Sequence, residues 1–256
     1  MVSRITPNMN RNQICMLDWT EDKSDYIISL YRKYSKELLK AREEQKLFKQ
    51  RISGWCFFDD IEGEVIYLLV RDLAPKVLVE VSSGNGWSTS WILRAVRDNG
   101  VGSLISCDID PLAVSNLPDD LTSNRWKFLH GDVRLFVKDL PASIDFLLMD
   151  SEHTDEFCKW FVPEFFPRVR QGGKIATHDI YALPHPGHAD PLALFTYLDK
   201  VGLRCYTPAA VFPETFSKIM AIRKEIGIPE SDVVFQIGVN SLAIFDVPRV
   251  KGKKNG

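Results

Sequence analysis

The sequence predicts an α/β fold in which helices cover both faces of a doubly wound, mostly parallel sheet. From Pro75 onward, short apolar segments alternate with segments of helical periodicity, and such alternation implies right-handed crossovers between parallel strands. The segments Val77–Val79 and Phe146–Met149 are continuously apolar, as expected for strands that are buried on both faces. A glycine-rich stretch separates the first strand from the helix that follows it.

Apolar residues at helical spacing predict two helices before the sheet, one from Ser24 to about Gln50 and one from about Asp60 to Leu73. Five strands are expected next, at Lys76–Val81, Ser103–Asp108, Trp126–His130, Ile144–Met149 and Gly173–Thr177. The helices between them are expected at Ser88–Asp98, Val133–Leu140 and Asp155–Val169. The last third predicts helices at Pro191–Val201 and Phe212–Ile226, a short strand at Leu203–Tyr206 and a final strand at Asn240–Val247. We therefore expect an N-terminal arm and helical extension over residues 1–72, the sheet domain over 73–248 and a disordered tail over 249–256.

Composition narrows the class of protein. A chain of 256 residues with 45% hydrophobic residues can bury one substantial core, and a formal net charge of −2 argues against a dedicated nucleic-acid binder. The chain has no apolar run of about 18 residues and no secretory signal, so we expect neither a membrane span nor export. Its five cysteines are widely spaced without a Cys-x-x-Cys pair, which favours reduced thiols in a cytoplasmic protein over disulfides or a zinc site.

The stretch after the first strand is the candidate cofactor loop. It reads Glu80-Val-Ser-Ser-Gly84-Asn-Gly86 and leads into a helix that starts at about Ser88. Ligands of open α/β sheets bind beyond the carboxyl ends of the strands, glycines let the backbone approach a ligand closely, and a helix N-terminus favours negative charge. An ordinary tight turn is the alternative interpretation of this loop.

Two cofactor patterns compete for the loop. A dinucleotide pattern, Gly-x-Gly-x-x-Gly or Ala, needs a small residue where Thr89 stands, so this pattern is incomplete. The S-adenosylmethionine pattern, acidic-x-Gly-x-Gly-x-Gly, is matched except that Ser82 replaces one glycine. The second pattern fits better. The cofactor-binding residues that it predicts are Glu80, Ser82, Gly84, Gly86 and Ser88.

Acidic residues end the next strands of the predicted sheet. Asp108 ends the second strand, where a carboxylate can accept both hydroxyls of a ribose, whereas Asp110 before Pro111 fits a turn. Asp132 follows the third strand and could meet an adenine amino group or cap a helix. Asp150 follows the fourth strand at the same edge and is a further candidate for cofactor binding.

Together these stretches give the sequence a family resemblance over about residues 54–180, with weaker similarity to the end. It resembles the class I S-adenosylmethionine-dependent methyltransferases, and within them a catechol-O-methyltransferase-like group that acts on small molecules and sugars. The landmarks are Asp60–Tyr67, Val79-Glu80, Gly84–Thr89, Asp108–Pro111, Gly131-Asp132, Ile144–His153, Gly172-Gly173 and His178–Ile180. The resemblance implies a Rossmann-like sheet of seven strands whose last strand is antiparallel. It also implies that Glu80 and the backbone of Gly84–Gly86 face the methionine end of the cofactor and that Asp108 holds its ribose.

Polar side chains follow strands four and five, and they are the candidates for the chemistry. Asp150 and His153 follow strand four, and His178 and Asp179 follow strand five, so both pairs emerge on the cofactor side of a parallel sheet. Methyl transfer to a hydroxyl needs alignment of the acceptor and removal of its proton. A divalent cation such as Mg²⁺ assists by lowering the pKa of that hydroxyl. The candidate catalytic groups are His153, whose imidazole titrates near neutrality, then Glu152 and His178.

The sequence leaves a metal site at these strand ends open. Metal-dependent relatives in the family that the sequence resembles place acidic ligands at the positions of Asp150 and Asp179. A further Asn or Asp found in many of them corresponds to Ile180, which cannot bind a cation. Either His178 or His153 replaces that ligand, or the protein works without metal. The predicted metal ligands are Asp150, Asp179 and His178.

The favoured function is methylation of a hydroxyl on a small molecule or sugar, with S-adenosylmethionine as cofactor. A nicotinamide-dependent oxidoreductase is opposed by Thr89 and by the absence of a Tyr-x-x-x-Lys pair, and a non-catalytic ligand-binding protein is kept open by Ser82 and Ile180. Residues 181–191, rich in proline and histidine, form either a lid over the acceptor or a plain surface loop. The N-terminal helices either cover the pocket or mediate a homodimer. We expect no nucleic-acid or membrane partner.

Overall fold

The computed structural model describes residues 18–52, 54, 56, 58–152, 154–181, 190–235 and 241–249. Its α-helices are α1 (Ser24–Lys33), α2 (Ser35–Lys49), α3 (Asp60–Leu73), α4 (Trp87–Asn99), α5 (Leu112–Asn116), α6 (Asp119–Thr122), α7 (Asp155–Phe165), α8 (Asp190–Val201) and α9 (Pro213–Glu225). Its strands are β1 (Val77–Val81), β2 (Ser103–Asp108), β3 (Trp126–His130), β4 (Ile144–Met149), β5 (Val169–Thr177) and β6 (Ala243–Asp246). Short 3₁₀ helices lie at Val133–Leu135 and Phe166–Arg168. No helix within the described ranges is long and apolar enough to cross a membrane.

These strands form one sheet in the order β3-β2-β1-β4-β5-β6, in which β1 to β5 run parallel and β6 runs antiparallel to β5. The mostly parallel sheet with an antiparallel last strand is therefore confirmed. The strand order reverses between β1 and β4, which is where ligands bind in open α/β sheets. Val81 is level with Cys107 on one side and with Met149 on the other, and Met149 is level with Thr177. The residues that follow these four positions consequently emerge side by side at one edge.

Helices cover both faces of the sheet, so the fold is doubly wound as predicted. One core joins Leu78, Phe146 and Leu148 to residues of α1 to α4 and α9. The other core joins Val79 and Leu147 to residues of α7 and α8. Successive side chains of a strand point to opposite faces, and β1 and β4 are almost entirely buried. Their continuous apolar sequences follow from this position in the middle of the sheet.

The sheet has six strands in the described part of the chain, so the prediction of seven is not confirmed. At the expected strand Leu203–Tyr206, Tyr206 pairs with Ile244 through only two backbone hydrogen bonds, of 2.7 and 2.9 Å. Pairing ends there because Thr207 turns the chain, its hydroxyl accepting the backbone N–H two residues further on at 2.9 Å. Pro208 adds to this break, since it has no N–H to donate to a ladder.

Three predicted helix or strand boundaries were wrong. The single helix expected over Ser24–Gln50 is broken at Tyr34 (φ −112°, ψ 21°), whose hydroxyl contacts the main chain at the end of α3 at 3.4 Å. The helix expected over Val133–Leu140 is only a 3₁₀ helix at Val133–Leu135, followed by turns. Strand β5 begins at Val169, inside the helix predicted before it.

Candidate functional site

The loop between β1 and α4 adopts backbone conformations that favour glycine. Ser82, Gly84 and Gly86 have φ angles of +72°, +49° and +90°. Ser82 is the residue that replaces a glycine of the S-adenosylmethionine pattern, and its left-handed backbone is costly for a residue with a Cβ. At Gly86 an added Cβ would also meet the Cγ of Leu117 at 3.1 Å. The glycine pattern therefore reflects the backbone geometry of this loop, and Ser82 adopts the same left-handed geometry in place of a glycine.

Glu80 lies beneath the loop and holds its ends together. Its side chain is fully buried, and its carboxylate accepts hydrogen bonds from the hydroxyls of Ser88, Thr89 and Ser106 at 2.7, 2.8 and 2.6 Å. Burial raises the pKa of Glu80 to about 7, although the three hydroxyl donors act in the opposite direction. Glu80 thus joins β1, β2 and α4 beneath the candidate cofactor loop, and it lines neither of the two clefts described below.

Asp108 reaches the same loop from the end of β2. Its Oδ2 accepts hydrogen bonds from the N–H groups of Ser83 and Gly84, both at 2.7 Å, and its Oδ1 accepts one from Asp110 N–H at 2.9 Å. Asp110 is exposed and accepts the N–H of Leu112 at 3.0 Å, in agreement with the predicted turn. The carboxylate of Asp108 keeps further acceptor capacity and lines a cleft.

Two clefts open at this edge of the sheet and share Ser82 and Ser151. The Asp108 cleft has a volume of about 430 Å³ and is lined by Val81, Ser82, Cys107, Asp108, Ile109, Gly131, Asp132, Val133, Arg134, Ser151, Glu152 and Phe157. The Asp150 cleft has a volume of about 370 Å³ and is lined by Phe58, Ser82, Ser83, Gly84, Asn85, Trp87, Ser88, Asp150, Ser151 and Asp179. An elongated ligand could extend from one cleft into the other across the point where the strand order reverses.

Asp132 and Glu152 lie at the border of the Asp108 cleft. Asp132 caps the 3₁₀ helix by accepting Arg134 N–H at 2.9 Å, and it also pairs with the Arg134 guanidinium, whose hydrogen bonds lower the pKa of this carboxyl. Glu152 is exposed and accepts the hydroxyl of Thr154 at 2.9 Å. It lines the Asp108 cleft but not the Asp150 cleft, so the structure does not bring it to the residues after β5.

Asp150, His178 and Asp179 come together beside the Asp150 cleft. His178 Nδ1 lies 3.2 Å from Oδ1 of Asp150 and 3.4 Å from Oδ1 of Asp179, and one ligand atom of each residue lies within 4.8 Å of the others. Asp179 adopts a left-handed backbone (φ +58°). The three predicted metal ligands are therefore neighbours. His153 and residues 182–189, which hold most of the predicted lid, lie outside the described residues.

His178 is held in a buried, acidic environment. Its ring stacks on Phe58 at 4.5 Å, and its Nε2 lies 3.2 Å from Oε2 of Glu62. Its Nδ1 is buried and makes no hydrogen bond of acceptable angle with the described residues. Burial lowers the pKa of His178, but the charges of Asp150 and Glu62 raise it well above the usual value of an imidazole. Carboxylates this close stabilise a positive charge, either on the ring or on a cation beside it, and this disfavours the predicted role of His178 as a base.

Sequence analysis missed two residues that complete this cluster. Glu62 and Asp59 form a capping box at the start of α3, and that motif is visible in the sequence. Its contact with His178 is not, because 116 positions separate the two residues. Ser241 donates its N–H to Glu62 Oε1 at 2.8 Å and its hydroxyl to Asp179 Oδ1 at 3.2 Å, and no sequence pattern indicates this link.

The chain is similar to known methyltransferases. A family model described as a methyltransferase domain matches residues 79–180. A putative O-methyltransferase of Mycolicibacterium smegmatis is 28% identical over 134 residues, which cover 50% of this chain and 62% of that protein. A probable O-methyltransferase of Mycobacterium tuberculosis is 30% identical over 122 residues, which cover 45% of this chain and 53% of that protein. The chain thus spans between about half and two thirds of the length of these relatives.

A solved structure extends the similarity to the whole fold. Cofactor-bound Rv0187 from MTB aligns over 93% of this chain and 98% of that chain, with a TM-score of 0.52 and 16% sequence identity. This similarity confirms the Rossmann-like architecture. The segment matched by the family model runs from β1 to the end of the cluster after β5, and it therefore contains the loop, Asp108, Asp150, His178 and Asp179.

Proposed function

We propose that this chain, which is similar to known methyltransferases, is a class I S-adenosylmethionine-dependent methyltransferase that transfers a methyl group to a hydroxyl of a small molecule or sugar. The observation that carries the proposal is the meeting of the Asp108 cleft and the Asp150 cleft at Ser82 and Ser151. One cleft presents a carboxylate suited to a ribose. The other lies beside two carboxylates and an imidazole, where an acceptor hydroxyl would be bound.

The Asp108 cleft and the loop would hold the cofactor. S-adenosylmethionine supplies a methyl group already activated by its sulfonium, so the protein mainly has to align the acceptor with it. Asp108 would accept a ribose hydroxyl through Oδ1, which takes only one backbone N–H, since Oδ2 already accepts those of Ser83 and Gly84. Asp132 would face the adenine from the same cleft. The loop Ser82–Ser88, supported by Glu80, would face the methionine end.

The cluster at the Asp150 cleft would hold a divalent cation. Asp150 and Asp179 offer carboxylate oxygens, which suit Mg²⁺ or Mn²⁺, and His178 offers an imidazole nitrogen, which transition-metal ions accept more readily than Mg²⁺ does. The buried Nδ1 of His178, which lacks an aligned partner among the described residues, is the observation in favour of a ligand role. His178 would then replace the ligand that Ile180 cannot provide. When bound, the cation would lower the pKa of the acceptor hydroxyl.

The reaction breaks the sulfur–carbon bond of the cofactor, forms an oxygen–carbon bond to the acceptor and leaves S-adenosylhomocysteine. The hydroxyl proton must leave, and His153 stays the predicted base for it, whereas Glu152 lines the Asp108 cleft and not the Asp150 cleft. Phe58 and Trp87 line the Asp150 cleft and would keep water away from the acceptor. A homodimer formed through the N-terminal helices and a cytoplasmic location stay predictions.

Isothermal titration of S-adenosylmethionine tests the cofactor site. We expect the affinity of the Asp108→Ala variant to fall about tenfold or more, since hydrogen bonds to a charged group contribute about 1.5–3 kcal/mol. Asp110→Ala is the matched control, because this exposed carboxylate lies two positions away, and its affinity should stay within about twofold of the wild type. An absence of binding by the wild type, or equal affinities for all three proteins, would contradict the proposed site.

Turnover to S-adenosylhomocysteine with a panel of catechols and sugars tests the reaction. The proposal predicts product with Mg²⁺ and loss of product with EDTA or in Asp150→Ala. Product that persists in EDTA would show transfer without a cation. Binding of S-adenosylmethionine without product from any acceptor would instead favour a non-catalytic ligand-binding protein.

A further inference from the structure

Glu62 lies outside the segments that follow the strands, yet both of its carboxylate oxygens are directed at the cluster. Its Oε2 lies 3.2 Å from Nε2 of His178 and accepts the N–H of Asp59 at 3.0 Å. Its Oε1 accepts the N–H of Ser241 at 2.8 Å. The side chain is only 1% exposed, so every one of these contacts is shielded from water.

A capping role alone does not account for this position. A capping box needs one carboxylate oxygen at the N-cap N–H, and such a carboxylate can stay in water, where its charge is not desolvated. Here Glu62 is buried against His178, whose other ring nitrogen faces Asp150 and Asp179. The contact with His178 is the interaction that this placement adds, and Ser241 extends it by donating its hydroxyl to Asp179 at 3.2 Å.

The two ring nitrogens of His178 consequently face different surroundings. Nε2 faces Glu62, which accepts hydrogen bonds and cannot donate one as a carboxylate. Nδ1 faces Oδ1 of Asp150 and Oδ1 of Asp179 at 3.2 and 3.4 Å, the two other groups of the candidate cation site. A hydrogen bond to one ring nitrogen determines which nitrogen is left to bind a metal.

We propose that Glu62 is a positioning residue, which keeps the ring hydrogen on Nε2 of His178 and so presents the lone pair of Nδ1 to a divalent cation held with Asp150 and Asp179. This inference rests on the proposed function, because it assigns an outer partner to the cation site described there. Glu62 itself contacts neither the cation nor the acceptor. Helix α3 would then contribute to the site through its first turn.

Glu62→Gln perturbs the contact with His178, and comparison with Asp59→Ala separates this effect from a loss of the helix cap. A glutamine side chain has one acceptor oxygen where glutamate has two. If that oxygen accepts Ser241 N–H, the amide NH₂ faces Nε2 of His178 and favours a hydrogen on Nδ1, and it also opposes the N–H of Asp59. If the oxygen faces Nε2 instead, the NH₂ opposes the N–H of Ser241. Asp59→Ala is the matched control, because it removes the capping box and leaves the carboxylate of Glu62 beside His178.

The experiment is Mn²⁺ binding to the full chain, followed by electron paramagnetic resonance with detection of coupling to a histidine nitrogen. Wild type should bind Mn²⁺ with nitrogen coupling, and His178→Ala should lose that coupling. Glu62→Gln should bind Mn²⁺ about 10- to 100-fold more weakly and lose the coupling, whereas Asp59→Ala should keep the coupling and an affinity within about threefold. Circular dichroism confirms that each variant is folded.

Three results would overturn the proposal for Glu62. Equal affinity and equal coupling in Glu62→Gln and wild type would leave Glu62 without a role at the ion. Equal losses of Mn²⁺ affinity and nitrogen coupling in Asp59→Ala and Glu62→Gln would show that Glu62 acts only as a helix cap. Wild type that binds S-adenosylmethionine but no Mn²⁺ would instead reject the cation part of the proposed function, and the role of Glu62 with it.

Discussion

Replacing Glu80 with glutamine removes an ionisable group from beneath the cofactor loop. The side chain is fully buried, and burial raises its pKa from 4.5 to about 7. One pKa unit corresponds to about 1.4 kcal/mol, so ionising Glu80 in the native protein costs about 3 kcal/mol more than in the unfolded chain. The carboxyl keeps its proton to higher pH in the folded state, and this sets the direction of the effect on stability.

Between pH 4.5 and pH 7 the native protein binds more protons at Glu80 than the unfolded chain does. The contribution of this group to the free energy of unfolding is therefore complete at low pH and is lost as the pH rises through 7. Integrated over both titrations, the loss between pH 5 and pH 8 is about 2.5 kcal/mol. The Glu80→Gln variant lacks this loss, so its free energy of unfolding relative to wild type should rise by that amount over the same interval.

Urea unfolding followed by circular dichroism at pH 5, 6, 7 and 8 measures this difference. A constant offset between the two proteins is uninformative, because glutamine rearranges the hydrogen bonds of Ser88, Thr89 and Ser106 at every pH. The change of the offset with pH is the quantity of interest. Glu214→Gln, at an exposed position of α9, is the control for the loss of a glutamate at the surface. Parallel curves for wild type and Glu80→Gln would refute the reasoning.

Two further changes test the loop and the helical layer in the same urea assay. Ser82→Gly should raise the free energy of unfolding by up to about 1 kcal/mol, because it relieves the left-handed strain at φ +72°. The control Ser83→Gly should not raise it. A lower free energy of unfolding in Ser82→Gly than in wild type would contradict this reasoning. Glu64→Gln should lower the free energy of unfolding by about 3–5 kcal/mol, because it leaves two buried arginine side chains with too few acceptors. The exposed Glu225→Gln should leave the midpoint unchanged, and a similarly small effect in Glu64→Gln would contradict the role of the buried ion pairs.

Much of the fold could be predicted because its central strands are buried on both faces. The bounds of β2, β3 and β4 agree with the prediction to the residue, as do those of α3, because apolar runs and a capping residue mark them locally. The break at Tyr34 coincides with a contact to a distant segment, the end of α3. Periodicity within a short window carries no information about such contacts.

The candidate site shows the same division. Asp150, His178 and Asp179 could be predicted as neighbours because the ends of adjacent parallel strands are level. Glu62 could not, because its contact with His178 depends on where helix α3 begins relative to β5. Ser241 could not either, because it reaches the cluster through backbone N–H and hydroxyl groups that any short loop residue could supply.

Helix α3 connects the site to the N-terminal helices through three buried acids on its first two turns. Asp60 accepts the backbone N–H groups of residues 234 and 235 at 2.9 and 2.7 Å, and Glu62 faces His178. Glu64 accepts Arg223 at 2.9 Å and also pairs with Arg42, and these arginines come from α9 and α2. Burying so many charges is not an efficient way to stabilise a core, since apolar residues would do so at lower desolvation cost. The hydrogen bonds and ion pairs of these charged groups are directional, so they fix the residue at which α3 begins. The position of that residue sets the distance between Glu62 and His178.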